Sequence, residues 1–462
     1  MYRDDLVKVR GIEEVLDLTG CKEESYWICN LKSYDDCKTN GERLIDAILI
    51  THAHLDHSQY ICLVDEKIPI YSSKITKKLL SCIQDVGRGG LENEYEITKR
   101  IEYSKTGDRS TFPNEPTLTK KKERNKRKWI SFDDNQEFDI GEFHIKTYPV
   151  DHSVPGSTAF LIQDEDGNEI AYTGDFRFHG ARSDLTRSFM DALSKENPDI
   201  LITEGTRIDE MKKDDENDVY EKISERVKRT TGLFLVGFAW KDITRYLTMK
   251  KIADENEKIL VISSKLAYII QKLKDFPELN IKDVEDEDNV KVYLRRKEKM
   301  LYSKSDYTKS KHDMGYSVEW DKKDPSTIST VHYDHGIRAY DIRENPSNYL
   351  LHLDFYEFNE LIDLNLPSGS VYVKATSEPF DDEMKFDEKR LCNWLRMFNL
   401  NPPDNNPIYI HASGHASGPE IIDFVKKVNA KTVIPVHTEH PEIFQSNISN
   451  TKIVQKDERV DI

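Results

Sequence analysis

Six short apolar runs in this chain each stop at a histidine, an aspartate or a glutamate. They are "AILITHAHLDH" from Ala47, "HIKTYPVDH" from His144, "NEIAYTGD" from Asn168, "DILITE" from Asp199, "PIYIH" from Pro407 and "TVIPVH" from Thr432. Apolar residues that end in a polar cluster read as buried strands delivering loops to the end of a sheet, where α/β proteins place their chemistry. That pattern restricts the chain to layered α/β folds.

The surrounding pattern divides the chain. Residues before Ile45 are polar and weakly periodic, with one helical candidate, "GIEEVLDLTG", closed by Gly20. From Ile45 strands alternate with helices, and the turn signal "DEDGNE" makes Thr158 to Thr173 an antiparallel hairpin. From about Thr206, "LFLVGF", "KDITRYLTMKKIADEN" and "KILVISS" form a strand, helix, strand unit that predicts a parallel sheet of its own. Asp283 to Lys323 is charged and poorly periodic, and reads as a surface excursion. In "DEKRLCNWLRMF" the residues Leu391, Trp394, Leu395 and Phe398 share a helical face. The last 60 or so residues read as one βαβ unit, "PIYIH", "GPEIIDFVKKVN" and "TVIPVH".

The spacing H-x-H-x-D-H at His52, His54, Asp56 and His57 is the densest chemical feature. A strand-to-helix turn can converge these side chains, the first two histidines on one metal ion and Asp56 with His57 on another. Four ligands cannot complete two sites, so the pattern demands more at other strand ends. His152, Asp175 and His437 supply them. Asp175 suits a bridge, because a carboxylate between two dications lowers their repulsion at the ~3.5–4 Å separation of two-metal hydrolysis, which activates a bridging hydroxide. For a lone strand-end histidine the reading would be an ordinary hydrogen-bonded residue.

Composition bounds the partners. The net charge of −17 opposes long-range attraction to nucleic acid, so any such site must be locally basic. "KKKERNKRK", Lys120 to Lys128, and "LRRKEK", Leu294 to Lys299, qualify, although a solvated lysine-rich surface explains each as well. Six cysteines form no CxxC pair, and no run approaches the ~20 apolar residues of a membrane span. With no apolar segment behind "MYRDDLVKVRG", the expectation is a cytoplasmic protein without a membrane partner.

"THAHLDHS", "DHSVPGS", "GDFRFHG", "ITEGTR", "HASGHASG" and "PVHTEHP", in this order, resemble the motifs of metallo-β-lactamase-fold nucleases of the β-CASP branch, ribonuclease J-like RNA-processing proteins above all. The resemblance runs from about Ile45 to the C-terminus. It implies an αββα sandwich, residues 1–205 and 406–462, interrupted by an inserted β-CASP domain, residues 206–405. The family's leading strands and Gly-rich turn have no counterpart ahead of "THAHLDH", so the N-terminal strands of the sandwich are expected to be missing.

The resemblance also implies a site. Two zinc ions, with manganese fitting the same donors, would be held by His52, His54 and His152, and by Asp56, His57 and His437, with Asp175 bridging. Catalytic roles fall to Asp56, to Glu204 as an orienting carboxylate and to His415 as the acid that protonates the leaving group. Ser413, Gly414 and Ser417 open a helix and could hold a phosphate, with helix capping an equal explanation of the serines. Arg245 in "GFAWKDITR" is a phosphate contact on this reading or else a helix-surface arginine.

The expected function is a metal-dependent ribonuclease acting on single-stranded RNA, alone, as a homodimer or in an RNA-processing complex. One rival is a dinuclear hydrolase of a small ester, thioester or lactone, for which "TEGTR" and "SGHAS" would have no purpose. The other is a non-catalytic β-CASP subunit, which loss of ligands would mark.

Overall fold

The computed structural model describes residues 39, 41, 45–87, 93–105, 118–211, 215–296, 306–307, 313–318, 329–332, 336–379, 382–455, 458 and 460. The helical candidate "GIEEVLDLTG" and the expected absence of leading strands fall outside the described residues.

The first half builds two facing sheets. Strands β1 (Ile48–Leu49), β2 (Ile70–Ser73), β3 (Ile97–Lys105), β4 (Leu118–Lys126) and β5 (Trp129–Phe132) come first. β1, β2 and β5 form a parallel sheet, while β3 and β4 pair as a separate antiparallel hairpin. Strands β6 (Glu137–Ile140), β7 (Phe143–Pro149), β8 (Thr158–Gln163), β9 (Glu169–Tyr172) and β10 (Ile200–Glu204) form the larger sheet. β8 and β9 are antiparallel, as the turn signal predicts, and Gly167 at φ +85° closes their turn.

Aromatic packing joins the two sheets. Phe132, Ile145 and Phe160 are buried between them, with Leu49, Tyr71 and Phe138 packed alongside. Helices cover the outer faces. The helix Lys74–Val86 starts at Ser73, whose side chain accepts a hydrogen bond from the Thr76 amide, and buries Ile75, Leu79, Leu80 and Ile83. Helices Ser183–Glu196 and Gly418–Val428 cover the larger sheet through Phe189, Leu193, Phe424 and Val425. Burying a side chain such as Phe424 contributes about 1.5–3 kcal/mol. The result is an αββα sandwich.

A second sheet system stands between β10 and the return of the chain. Strands β11 (Phe234–Gly237), β12 (Ile259–Ser263), β13 (Val290–Tyr293), β14 (Asp313–Val318), β15 (Ser329–His332), β16 (Gly336–Ile337), β17 (Tyr349–His352), β18 (Val371–Lys374) and β19 (Ile408–Tyr409) follow one another. Seven of them make a sheet in the order β16-β13-β12-β17-β11-β18-β19, parallel throughout, and β14 with β15 form a hairpin. The unit "LFLVGF" to "KILVISS" is parallel as expected, but β17 lies between its two strands.

Two expectations are corrected. The stretch Asp283 to Lys323 contains β13, with Val290 and Val292 fully buried, so it is not wholly a surface excursion. Val290 and Val292 flank Lys291, and so short an apolar pattern does not stand out from the charges around it. The terminal unit is not a βαβ unit of one sheet. β19 pairs with β18 of the seven-stranded sheet, whereas β20 (Thr432–Val436) pairs in parallel with β10 of the sandwich. Leu391 and Leu395 of the helix Asp382–Met397 are buried as the periodicity predicts, with Trp394 and Phe398 packed beside them. No helix among the described residues is long and apolar enough to cross a membrane.

Candidate metal centre

Histidines and carboxylates from five strand ends meet between the sandwich and the inserted sheet. His52, His54, His152 and Asp175 form one group able to hold a metal ion, Asp56, His57 and His437 a second, and Asp175, Glu204, His415 and His437 a third.

Three ring nitrogens converge in the first group. His54 Nδ1 lies 3.2 Å from His52 Nε2 and 3.0 Å from His152 Nε2. The opposite nitrogens are all engaged: His52 Nδ1 with Thr51 Oγ1 at 3.0 Å, His54 Nε2 with Ser153 Oγ at 3.3 Å, and His152 Nδ1 donating to the Gly414 carbonyl at 2.5 Å. A carbonyl only accepts, so His152 carries its proton on Nδ1 and turns a bare Nε2 inward. Burial keeps His52 and His152 far below the ordinary imidazole value and brings His54 down to about 4, so all three are neutral donors at physiological pH.

Asp175 is the shared member. Its carboxylate lies 3.1 Å from His57 Nε2, 3.6 Å from His52, 3.7 Å from His437, and 3.9 Å from both His152 and His415. Gly174 makes this placement possible. It sits at φ +58°, and a Cβ there would approach the Thr51 side chain to 2.9 Å. Burial opposes the charge of Asp175, but the close contact with His57 and the surrounding imidazoles hold it well below the usual carboxylate range.

The second group is more open. His437 Nε2 lies 3.3 Å from Asp56 Oδ2, and His57 Nε2 lies 3.4 Å from the same oxygen. Burial works against charge on His57, but Asp175 and Asp56 outweigh it and raise its imidazole to about 10. Its Nε2 is buried without a hydrogen bond of good geometry, and once deprotonated that nitrogen would offer its lone pair to a metal. His437 holds a left-handed backbone, φ +51°, which a non-glycine residue keeps only where its surroundings enforce it. Imidazole and carboxylate donors in this arrangement fit a divalent metal such as zinc.

Glu204 underlies both histidines that close the site. Its Oε2 accepts from His415 Nδ1 at 2.9 Å and from Thr206 Oγ1 at 2.8 Å, while Oε1 accepts from the Phe176 amide at 2.8 Å. Thr206 Oγ1 in turn accepts from His437 Nδ1 at 2.8 Å. One buried carboxylate thus orients His415 directly and His437 through a hydroxyl. Burial works against a charged His415, yet Glu204 outweighs it and holds the imidazole above its ordinary value. Thr206 was not singled out from sequence, although it stands two residues after Glu204 in "TEGTR".

The proposed phosphate contacts fare differently. Arg245 is fully buried, its guanidinium bound to the Ala375 carbonyl at 2.8 Å, to Glu216 at 3.1 Å and to the Ala412 carbonyl at 3.5 Å. It is neither a phosphate contact nor a helix-surface arginine, because the side chain is shut away from solvent and both terminal nitrogens bond inside the protein. Ser417 is also fully buried and forms a capping box with Glu420, so the capping explanation holds for it. Gly414 gives its carbonyl to His152 and is packed so closely that a Cβ would meet His152 and Ser153 at 2.9 Å. Ser413 is partly exposed and caps the His415 amide with its hydroxyl at 3.2 Å.

The loop "HASGHASG" is held by side-chain N–H donors that sequence reasoning missed. Ser413 O accepts from Arg177 at 3.2 Å and from His179 at 3.0 Å, and His415 O accepts from Arg207 at 3.3 Å. Arg177 and His179 lie in "GDFRFHG" and Arg207 in "TEGTR", so their motifs were the available signal.

Residues 408–454 match the family model described as Zn-dependent metallo-hydrolase RNA specificity domain. The chain is 24% identical to "Probable RNase MJ4" of Methanocaldococcus jannaschii over 87% of its own length and 83% of that protein. It is 27% identical to "Ribonuclease J" of Mycoplasma genitalium over 30% of this chain and 25% of that protein. The "Integrator complex subunit 11 homolog" of Dictyostelium discoideum is 27% identical over 43% of this chain and 25% of that protein. Among solved structures, a protein of unknown function from Enterococcus faecalis superposes with a TM-score of 0.61 at 19% identity, covering 90% of this chain and 81% of that one.

Proposed function

We propose that the chain belongs to the metallo-β-lactamase-fold nucleases of the β-CASP branch and hydrolyses the phosphodiester bonds of single-stranded RNA with two zinc ions. His52, His54 and His152 would hold one ion, Asp56, His57 and His437 the other, and Asp175 both. Bound metal supplies positive charge for the phosphate and an activated water. The division into a sandwich of residues 1–205 and 406–462 and an insertion of residues 206–405 belongs to the same proposal.

One observation carries the reading: His415, held by Glu204 at 2.9 Å, stands 3.9 Å from the shared carboxylate Asp175. The leaving oxygen of a phosphodiester needs a proton, and His415 Nδ1 is committed to Glu204, which leaves Nε2 to deliver it. A small-ester hydrolase has no need of an acid mounted on a second loop. Nor does a non-catalytic subunit explain the convergence of every expected metal residue.

The test is cleavage of single-stranded RNA bearing a 5′-monophosphate or a 5′-triphosphate by zinc-loaded protein. Degradation of either is expected, and loss of activity on chelation with recovery on zinc addition. RNA left intact beside hydrolysis of small esters would overturn the proposal. The pH profile gives a sharper check on His415. Because Glu204 raises the His415 imidazole, Glu204→Gln should lower it. The acid must be protonated to act, so the alkaline limb of the kcat profile moves to lower pH in the variant. An unmoved limb would remove His415 from the acid's role.

A further inference from the structure

Trp240 stands between two lysines at the carboxyl edge of the inserted sheet. It follows β11, and Lys241 Nζ lies 5.5 Å from its ring centroid, within cation–π range. Lys265, which follows β12, brings its Nζ to 5.4 Å from the same centroid. All three side chains are partly exposed.

Their position in the fold is significant. Ligands of parallel sheets bind beyond the carboxyl ends of the strands. Here those ends lie beside the loop that carries His415: Arg245, in the helix that follows Trp240, donates to the Ala412 carbonyl at 3.5 Å. Lys265 occupies the first turn of the helix Ser264–Leu273, the end where a helix dipole favours an anion.

We propose that Trp240, Lys241 and Lys265 form a nucleotide subsite next to the metal cluster, in which the indole stacks on a base of the RNA strand and the two ammonium groups hold the adjoining phosphates. Base–aromatic stacking tolerates any base, and flexible lysine stems can swing from the ring to a phosphate as the base arrives. The subsite deepens the nuclease reading and rests on it. It also takes over the role that sequence reasoning gave to Arg245, with contacts four or five residues nearer the end of β11.

The experiment measures binding of a labelled single-stranded RNA of about ten nucleotides to chelator-treated protein, by fluorescence anisotropy between roughly 50 and 200 mM salt. Trp240→Ala should weaken binding about tenfold, while Trp240→Phe, which keeps a stacking face, retains most of the affinity. Lys241→Ala and Lys265→Ala should each flatten the plot of log affinity against log salt by about 0.7, and Lys241→Arg should restore it. Variants that keep the wild-type affinity and salt slope, while the zinc-loaded wild type cleaves RNA, overturn the subsite alone. A zinc-loaded wild type that leaves RNA intact overturns the nuclease reading, and the subsite with it.

Discussion

Asp175→Asn is expected to abolish hydrolysis and to cut metal affinity by more than roughly a hundredfold, beyond what loss of an outer hydrogen-bond partner costs a metal site. The substitution keeps shape and removes one negative charge at a residue only 2% exposed. Five imidazoles lie within 3.9 Å of that carboxylate, so its charge acts on most of the histidines of the cluster. Metal content by mass spectrometry, read beside turnover, separates the outcomes. A variant that carries wild-type metal and cleaves at the wild-type rate would refute the shared role. The variant should still fold, because the nearby core of Phe176, Phe178 and Phe424 does not involve the carboxylate.

The largest stability effect is expected far from the metals, at Arg127. This arginine is the last residue but one of the basic run "KKKERNKRK" yet is only 2% exposed. Its guanidinium donates to the carbonyls of Tyr95 at 3.0 Å, Val64 at 2.8 Å, Asp65 at 3.2 Å and Ile61 at 2.9 Å. Burial brings its pKa down to about 10, which leaves it charged at neutral pH. Arg127→Met strands four buried acceptors and should cost about 3–5 kcal/mol, lowering the thermal midpoint by several degrees. Arg127→Lys should recover little, because a point charge cannot reach four carbonyls as a planar fork does. A midpoint unchanged in the methionine variant would rule out this account.

These two residues mark what was legible in the sequence. The meeting of His52, His54, His57, His152, Asp175 and His437 could be read because each ends or closely follows an apolar run, and the strands of two facing sheets deliver those ends to one edge of the sandwich. The parallel character of the second sheet was legible for the same reason, from helices between short apolar runs. Burial of charge was not. Arg127 and Arg245 have no periodic signature, since a lone arginine looks alike in sequence whether it meets water or carbonyls. Strand order was equally hidden: nothing in "KILVISS" reports that β17 will slip in beside it. Trp240 drew no notice because its meaning lies in two lysines, one of them 25 residues away in sequence.

The split of the terminal unit has a further consequence. β19 ends at Tyr409 in the inserted sheet, and β20 begins at Thr432 in the sandwich, so "HASGHASG" is strung like a tendon between two bodies. The insertion is therefore no detachable module. Excising it would remove the mooring at one end of that tendon and slacken the loop that presents His415, so the two parts of this chain can only have been tuned together.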